Sequence, residues 1–258
     1  MMAILKQFCA DRLQIEIHDT RDHMGRAAAK AAADAIRSLL SNQETINMIF
    51  AAAPSQNETL ACLILEEGID WSRINAFHMD EYIGLPANAP QAFGTYLYDH
   101  IFSKLPFRSV SYLDASATDA EAECSRYSKL LAENPVDIVC LGIGENGHIA
   151  FNDPWVADFE DTALVKPVPL DPVCRQQQVN DGCFDRLEQV PTHAITLTIP
   201  VLAAAKHMIC TVPASTKAWA VEKTISAPIS SEIPATVMRN HPHAILFCDA
   251  YSGANLIK

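Results

Sequence analysis

The residues best suited to chemistry stand where apolar runs give way to polar ones. Asp80 and Glu81 form an adjacent carboxylate pair directly after the apolar stretch 74–79. Two carboxylates at the end of a buried segment are costly unless they are paired or used. The use would be Asp80 as a general base with Glu81 among the substrate contacts; the plain alternatives are a helix cap or a solvated turn. His148 closes the run Gly142-Ile143-Gly144-Glu145-Asn146-Gly147-His148. Histidine both gives and takes a proton near neutral pH, and Asp153 follows closely enough to support it. Gly144 and Gly147 let backbone approach a ligand closely. The run is neither a dinucleotide fingerprint leading into a small-residue helix nor a phosphate loop with its Lys. Lys217 falls in the first turn of a helix starting at Ser215, a poor place for a cation unless an anion binds there. A solvent-facing lysine is the bland reading. Ser55, Gln56 and Asn57 occupy a similar strand-to-helix turn, where capping competes with ligand binding. His78 alternates away from Met79 and reads as a packed core histidine.

These junctions need a scaffold, and the pattern between them supplies one. Residues 13–18, 46–53, 74–79, 111–113, 136–143, 193–199, 207–212 and 244–248 read as strands. Several are continuous apolar runs, the mark of strands buried on both faces. Helices are predicted over 22–40, from the turn at 54–57 to about 67, and over 91–104, 117–134 and 215–226. Strands alternating with helices give an α/β fold with a mainly parallel sheet and helices on both faces. Ligands in such a sheet bind beyond the carboxyl ends of the strands, where the residues above cluster. Residues 153–189 are the least regular stretch and read as a long active-site loop or lid.

The bulk composition narrows the function classes. A length of 258 residues with 49% hydrophobic content suits one α/β domain over residues 1–258. A net charge of −12 argues against nucleic acid and anionic membrane as partners. An anionic substrate must then be held by a local positive feature. The eight cysteines include no C-x-x-C pair and sit largely in apolar runs, so they read as free thiols in a reducing, cytoplasmic setting rather than as disulfides. Residues 1–12 carry charges and no long apolar stretch, so they do not read as a signal peptide. No run reaches the roughly 18 apolar residues of a membrane span.

Two long motifs carry a family resemblance. Phe77-His78-Met79-Asp80-Glu81-Tyr82-Ile83-Gly84-Leu85 resembles the N-M-D-E-Y-x-G-L stretch of glucosamine-6-phosphate deaminases. Residues 141–154, which contain Gly-Glu-Asn-Gly-His-Ile-Ala-Phe-Asn-Asp-Pro, resemble their G-x-G-x-D-G-H-I-A-F-N-E-P. Val190-Pro191-Thr192-His193-Ala194-Ile195-Thr196-Leu197 and Ser215-Thr216-Lys217-Ala218 match in order and spacing. The resemblance runs from about residue 13 to 250. It implies a Rossmann-like sheet of the kind found in 6-phosphogluconolactonases and ribose-5-phosphate isomerases. It matches Asp80 to the base that takes the C2 proton, His148 to the group that opens the sugar ring, and Lys217 to a phosphate-binding lysine. Four departures stand out. Asn146 replaces an Asp, Asp153 replaces a Glu, and Ser55-Gln56-Asn57 replaces a Thr-Gly-Gly phosphate turn. Gly182-Cys183-Phe184 lacks the family's phosphate-binding Arg, for which Arg175 is the nearest substitute.

The resemblance implies conversion of an amino-sugar phosphate, foremost glucosamine 6-phosphate, to fructose 6-phosphate and ammonia. A phosphorylated sugar is then the partner, and neither metal nor cofactor is called for. The sequence leaves a homo-oligomer open. Lactone hydrolysis of the 6-phosphogluconolactonase type is the competing enzymatic reading. A sugar-phosphate sensor with altered catalytic neighbours is the non-enzymatic one.

Overall fold

The computed structural model describes residues 4–86 and 88–257. Its main sheet forms from β1 (Ile4–Ala10), β2 (Leu13–His18), β3 (Ile46–Phe50), β4 (Ile74–His78), β6 (Ser109–Ser111), β7 (Ile138–Leu141), β10 (His207–Val212) and β11 (Ala244–Cys248). A smaller sheet forms from β5 (Asp80–Tyr82), β8 (Val165–Pro169) and β9 (His193–Leu197). The helices are α1 (Arg21–Leu40), α2 (Asn57–Leu63), α3 (Phe93–Leu97), α4 (Ala120–Glu133), α5 (Pro172–Asn180), α6 (Ile199–Ala203) and α7 (Ala218–Ser226). The main sheet runs β1-β2-β11-β10-β7-β3-β4-β6 and is parallel except for β1, which forms a hairpin with β2.

Alternation along each buried strand builds two cores. In β7, Ile138 and Cys140 join one hydrophobic cluster, and Val139 and Leu141 join the other. Helices α1 and α2 cover the first face, and α4, α6 and α7 the second. Successive side chains of a strand point to opposite faces, so a strand covered on both sides reads as a continuous apolar run. The α/β class and its helix-covered, mainly parallel sheet agree with the sequence reading.

From β3 the chain winds outward through β4 and β6, then returns to lay β7 on the other side of β3. The direction of winding reverses between β3 and β7. A crevice opens at such a point, beyond the carboxyl ends of the strands.

The structure departs from the sequence reading in several places. The strand at 111–113 lies earlier, as β6, and the strand expected over 193–199 joins the small antiparallel sheet as β9. The helix over 91–104 splits into α3 and a π-helical turn, Tyr98–Phe102. The irregular region 153–189 contains β8 and α5, so it is a built wall rather than a free lid. The N-terminal segment supplies the edge strand β1, which the sequence reading left unassigned. All eight cysteines are free. No helix of the described residues is long and apolar enough to cross a membrane.

Candidate active site

Four adjacent strands, β10, β7, β3 and β4, end at the same cleft. Ser55, Asp80, Gly144, His148 and Lys217 all line it. Each comes from a different strand end except Gly144 and His148, which share the loop after β7. Sequence separations of up to 162 residues (217 − 55) are closed by the sheet alone.

Asp80 is brought there by the small sheet. Leu197 N–H donates to Met79 O at 2.8 Å, and Asp80 then pairs with Thr196 in β9. His78 helps fix the same backbone. Its Nε2 accepts from Leu113 N–H at 2.8 Å, so its protonated Nδ1 donates to Asp80 O at 3.0 Å. Burial lowers its pKa to about 4, which keeps the ring neutral. His78 is therefore a satisfied core histidine, as its alternation with Met79 indicated.

Asp80 and Glu81 have opposite fates because neighbouring strand residues face opposite ways. Asp80 is only 6% exposed, and its carboxylate accepts no hydrogen bond from the described residues. Burial, reinforced by the negative Glu81, holds its pKa well above the ordinary carboxylate value. Glu81 instead turns away from the cleft and accepts from the N–H groups of Tyr82, Phe93 and Gly94 at 2.9, 3.1 and 2.9 Å. Burial raises its pKa to about 7 against the pull of those donors. Its expected place among the substrate contacts is thus corrected: it anchors the start of α3.

His148 sits in a loop that closes on itself, with Gly144 N–H donating to His148 O at 2.9 Å and Gly147 N–H to Gly144 O at 3.0 Å. Gly147 has φ +87°, a backbone geometry that favours glycine, and it shapes the loop without lining the cleft. His148 Nδ1 faces two acceptors, Asn146 Oδ1 at 2.7 Å and Asp153 Oδ1 at 3.1 Å. The Asn146 amide is oriented by its own donation to Asp153 Oδ1 at 2.8 Å. With acceptors on that side, the proton resides on Nδ1 and the Nε2 lone pair is left free. Asp153 is fully buried. Burial pushes its pKa up, but the His148 hydrogen bond, the Asn146 amide and the Asp171 N–H outweigh it, and the net shift is downward. The shorter Asp therefore reaches the histidine despite its missing methylene, and supplies the negative charge that Asn146 lacks.

Gly144 leaves room for the imidazole. A Cβ there would lie 2.1–2.3 Å from three atoms of the His148 ring. Gly144→Ala is expected to push the ring out of place and lower kcat by roughly 10²-fold, the usual cost of about 1 Å of misplacement. Steady-state kinetics with an unchanged circular-dichroism spectrum checks this. A wild-type kcat would show that the ring position does not matter.

Lys217 is 5% exposed, and its Nζ has no hydrogen-bond partner. Burial lowers its pKa, only partly offset by Asp181 and Glu145. A buried cation left unpaired is costly, and here it lines the cleft. The preceding Ala214 holds φ 79° and ψ 148°, a region that favours glycine, with its N–H donated to the buried Asp249. Strain of about 1–3 kcal/mol persists only where surroundings impose it, typically beside functional groups.

Three further expectations are corrected. Arg175 donates to Leu187 O at 2.9 Å and Val190 O at 2.8 Å, and so pins the segment after α5 instead of reaching the cleft. Gln56 is buried and ties Ser55 Oγ, Leu141 O and Thr211 O together, bracing the turn from behind. Asn57 accepts from Tyr96 Oη. Gln56 Nε2 and Asn57 Oδ1 are thus engaged within the protein, and neither residue lines the cleft.

Sequence reasoning missed Arg21, Gln177, Gln178 and Asp181, which also line the cleft. Arg21 begins α1, donates to Pro54 O and contacts Glu58 Oε1 through Nε at 2.7 Å. Gln177 accepts from Glu145 N–H at 2.9 Å, so α5 is docked onto the His148 loop. No local motif marks these residues. Among the described residues, His148, Asp153 and Cys174 form a potential metal-ligand group, their donor atoms within 4.8 Å of one another.

Comparisons with known proteins identify what the chain as a whole is similar to. A family profile described as glucosamine-6-phosphate isomerases/6-phosphogluconolactonase matches residues 19–246. A glucosamine-6-phosphate deaminase from Listeria monocytogenes is 36% identical over 223 residues, 86% of this chain and 93% of the relative. One from Streptococcus sanguinis is 35% identical over 198 residues, 77% of this chain and 82% of the relative. The solved structure of a monomeric glucosamine-6-phosphate deaminase superposes with a TM-score of 0.84 at 27% identity, covering 93% of this chain and 98% of that one. The 6-phosphogluconolactonase from Thermotoga maritima shares the fold, with a TM-score of 0.75 at 18% identity, covering 92% and 99%.

Proposed function

The chain belongs to the glucosamine-6-phosphate isomerase/6-phosphogluconolactonase family, and from that membership we propose that it deaminates and isomerises glucosamine 6-phosphate to fructose 6-phosphate and ammonia. The observation that carries this reading is the division of labour in the Asp-Glu pair. Asp80 presents an unpaired, buried carboxylate with a raised pKa to the cleft, while Glu81 is consumed by backbone donors. A raised pKa suits proton abstraction from carbon, which needs a stronger base than an ordinary carboxylate.

In this mechanism His148 Nε2 takes the proton of the anomeric hydroxyl at C1 and hands it to the ring oxygen as the C1–O5 bond breaks and the pyranose opens. Asp153 and Asn146 hold the imidazole and balance its transient charge. Asp80 then removes the C2 proton, acidified by the new aldehyde, and delivers it to C1 while a proton passes from the amine to O1, which leaves an imine at C2. Water adds at C2, and the amine leaves as ammonia. The substrate phosphate is held by Lys217, Ser55 and Arg21, three groups of the cleft lining. The partner this requires is the phosphorylated sugar itself, and the free cysteines fit a cytoplasmic enzyme.

Arg21 is the one arginine among the described residues that line the cleft. Arg21→Ala is expected to raise KM for the phosphorylated sugar roughly 3- to 10-fold. The effect is smaller than for a buried cation because the side chain is 35% exposed. A KM unchanged within error would remove Arg21 from the phosphate site. The reading as a whole is tested by comparing kcat/KM for glucosamine 6-phosphate with that for 6-phosphogluconolactone. The amino sugar is expected to dominate; preference for the lactone would overturn the proposal.

A further inference from the structure

Cys174 is fully buried on α5 and has no part in the mechanism above, yet it faces the two residues that control the proton. Its Sγ, a His148 nitrogen and an Asp153 carboxylate oxygen lie mutually within 4.8 Å. The helix is held in this position from both ends of the group. Asp171 N–H donates to Asp153 Oδ2 at 3.3 Å, and Gln177 accepts from the His148 loop. Cys174 is therefore a fixed neighbour of the His148–Asp153 pair.

We propose that His148, Asp153 and Cys174 form a zinc site whose occupation switches the enzyme off. The donor set carries the choice of ion. Imidazole, carboxylate and thiolate together match zinc, whereas magnesium and calcium take oxygen ligands. Zinc–ligand bonds of about 2.0–2.3 Å in a tetrahedron place donor atoms roughly 3.5 Å apart. The group must therefore contract by at most about 1.3 Å from its present limit of 4.8 Å. Asn146 Oδ1, 2.7 Å from Nδ1, stands by as a fourth donor. The ion enters past the imidazole, since His148 edges the cleft while Asp153 and Cys174 have no exposure of their own.

The proton account explains the loss of activity. Nδ1 is the nitrogen that faces Asp153. Binding releases the Cys174 thiol proton to solvent and moves the His148 proton from Nδ1 to Nε2. The bound ion then has one thiolate, one carboxylate and one neutral imidazole, and the site carries no net charge. With Nδ1 on zinc and Nε2 protonated, the ring has no lone pair for the sugar hydroxyl proton. This inhibitory step rests on the deaminase reading; the binding site does not.

The test uses the full-length protein, stripped with chelator and dialysed against zinc chloride. One zinc is expected per chain, with affinity at least roughly 10-fold weaker in Cys174→Ala. Turnover of glucosamine 6-phosphate is expected to fall at least roughly 10-fold with zinc or cadmium, to be untouched by magnesium, and to return with chelator. Cys174→Ala should keep the basal rate and resist zinc. Should that variant misfold, Cys174→Ser keeps the side-chain volume and must show the same loss of zinc affinity. Equal zinc binding by wild type and both variants, or undiminished inhibition of the variants, overturns the site. If the protein releases no ammonia at all, the dialysis comparison still decides the metal site, and only the deaminase reading falls.

Discussion

Asp80→Asn is expected to reduce turnover by roughly 10²–10⁴-fold while making the folded protein more stable at neutral pH. The two effects have one cause. The Asp80 carboxylate is buried beside Glu81 without a hydrogen-bond donor among the described residues, so its folded pKa lies above that of the unfolded chain. A group with a raised folded pKa binds its proton more tightly when folded. Its stabilising contribution is complete below the unfolded pKa and is lost as pH rises through the folded one. At neutral pH the wild type therefore carries a cost that the neutral amide removes. Each kcal/mol relieved should raise Tm by roughly 2–4 °C for a chain of this size. The same shift places the acid limb of the wild-type kcat/KM profile above the ordinary carboxylate range, because the base works only when ionised. Thermal melts and rate profiles of both proteins check this. Full turnover in the variant, or a lower Tm at neutral pH, would make Asp80 a structural carboxylate.

Lys217→Met should raise KM for the phosphorylated sugar by roughly 10- to 100-fold, the worth of a charge-assisted hydrogen bond of about 1.5–3 kcal/mol. An unphosphorylated analogue should lose little. The Lys217 ammonium is buried without a partner, and its pKa is depressed. With a depressed folded pKa, the unfolded chain binds the proton more tightly. The free protein is then destabilised at neutral pH and recovers as pH rises towards the lysine range. An anion in the cleft offsets that cost. Inorganic phosphate should thus raise the Tm of the wild type and leave that of Lys217→Met nearly unchanged. Equal Tm shifts in the two proteins would place the anion elsewhere.

The sequence makes some of this site legible and hides the rest, for physical reasons. The strands before Ser55, Asp80, Gly142 and Lys217 are readable because strands covered on both faces must be continuously apolar. The loop from Gly144 to Asp153 is local, so its internal contacts follow from spacing. The parting of Asp80 from Glu81 depends on β5, only three residues long, pairing with β9 more than a hundred residues away. Nothing in the neighbourhood of Asp80 announces that partner. Arg21 at the start of α1, Gln177 and Gln178 on α5 and Asp181 just after it are polar residues that no apolar periodicity marks as facing a cleft. Arg175 looked available because it stands near the missing arginine in sequence, but α5 turns it towards two carbonyls.

The central claim is that the cleft around Asp80, His148 and Lys217 couples isomerisation to loss of the amine. The most direct measurement is the amount of ammonia and of fructose 6-phosphate released from glucosamine 6-phosphate, followed together over the same time course. The account predicts equal amounts of the two products from the wild type, and neither above background from Asp80→Asn. Ketose phosphate formed without ammonia, or no product from the amino sugar while 6-phosphogluconolactone is hydrolysed, would contradict it.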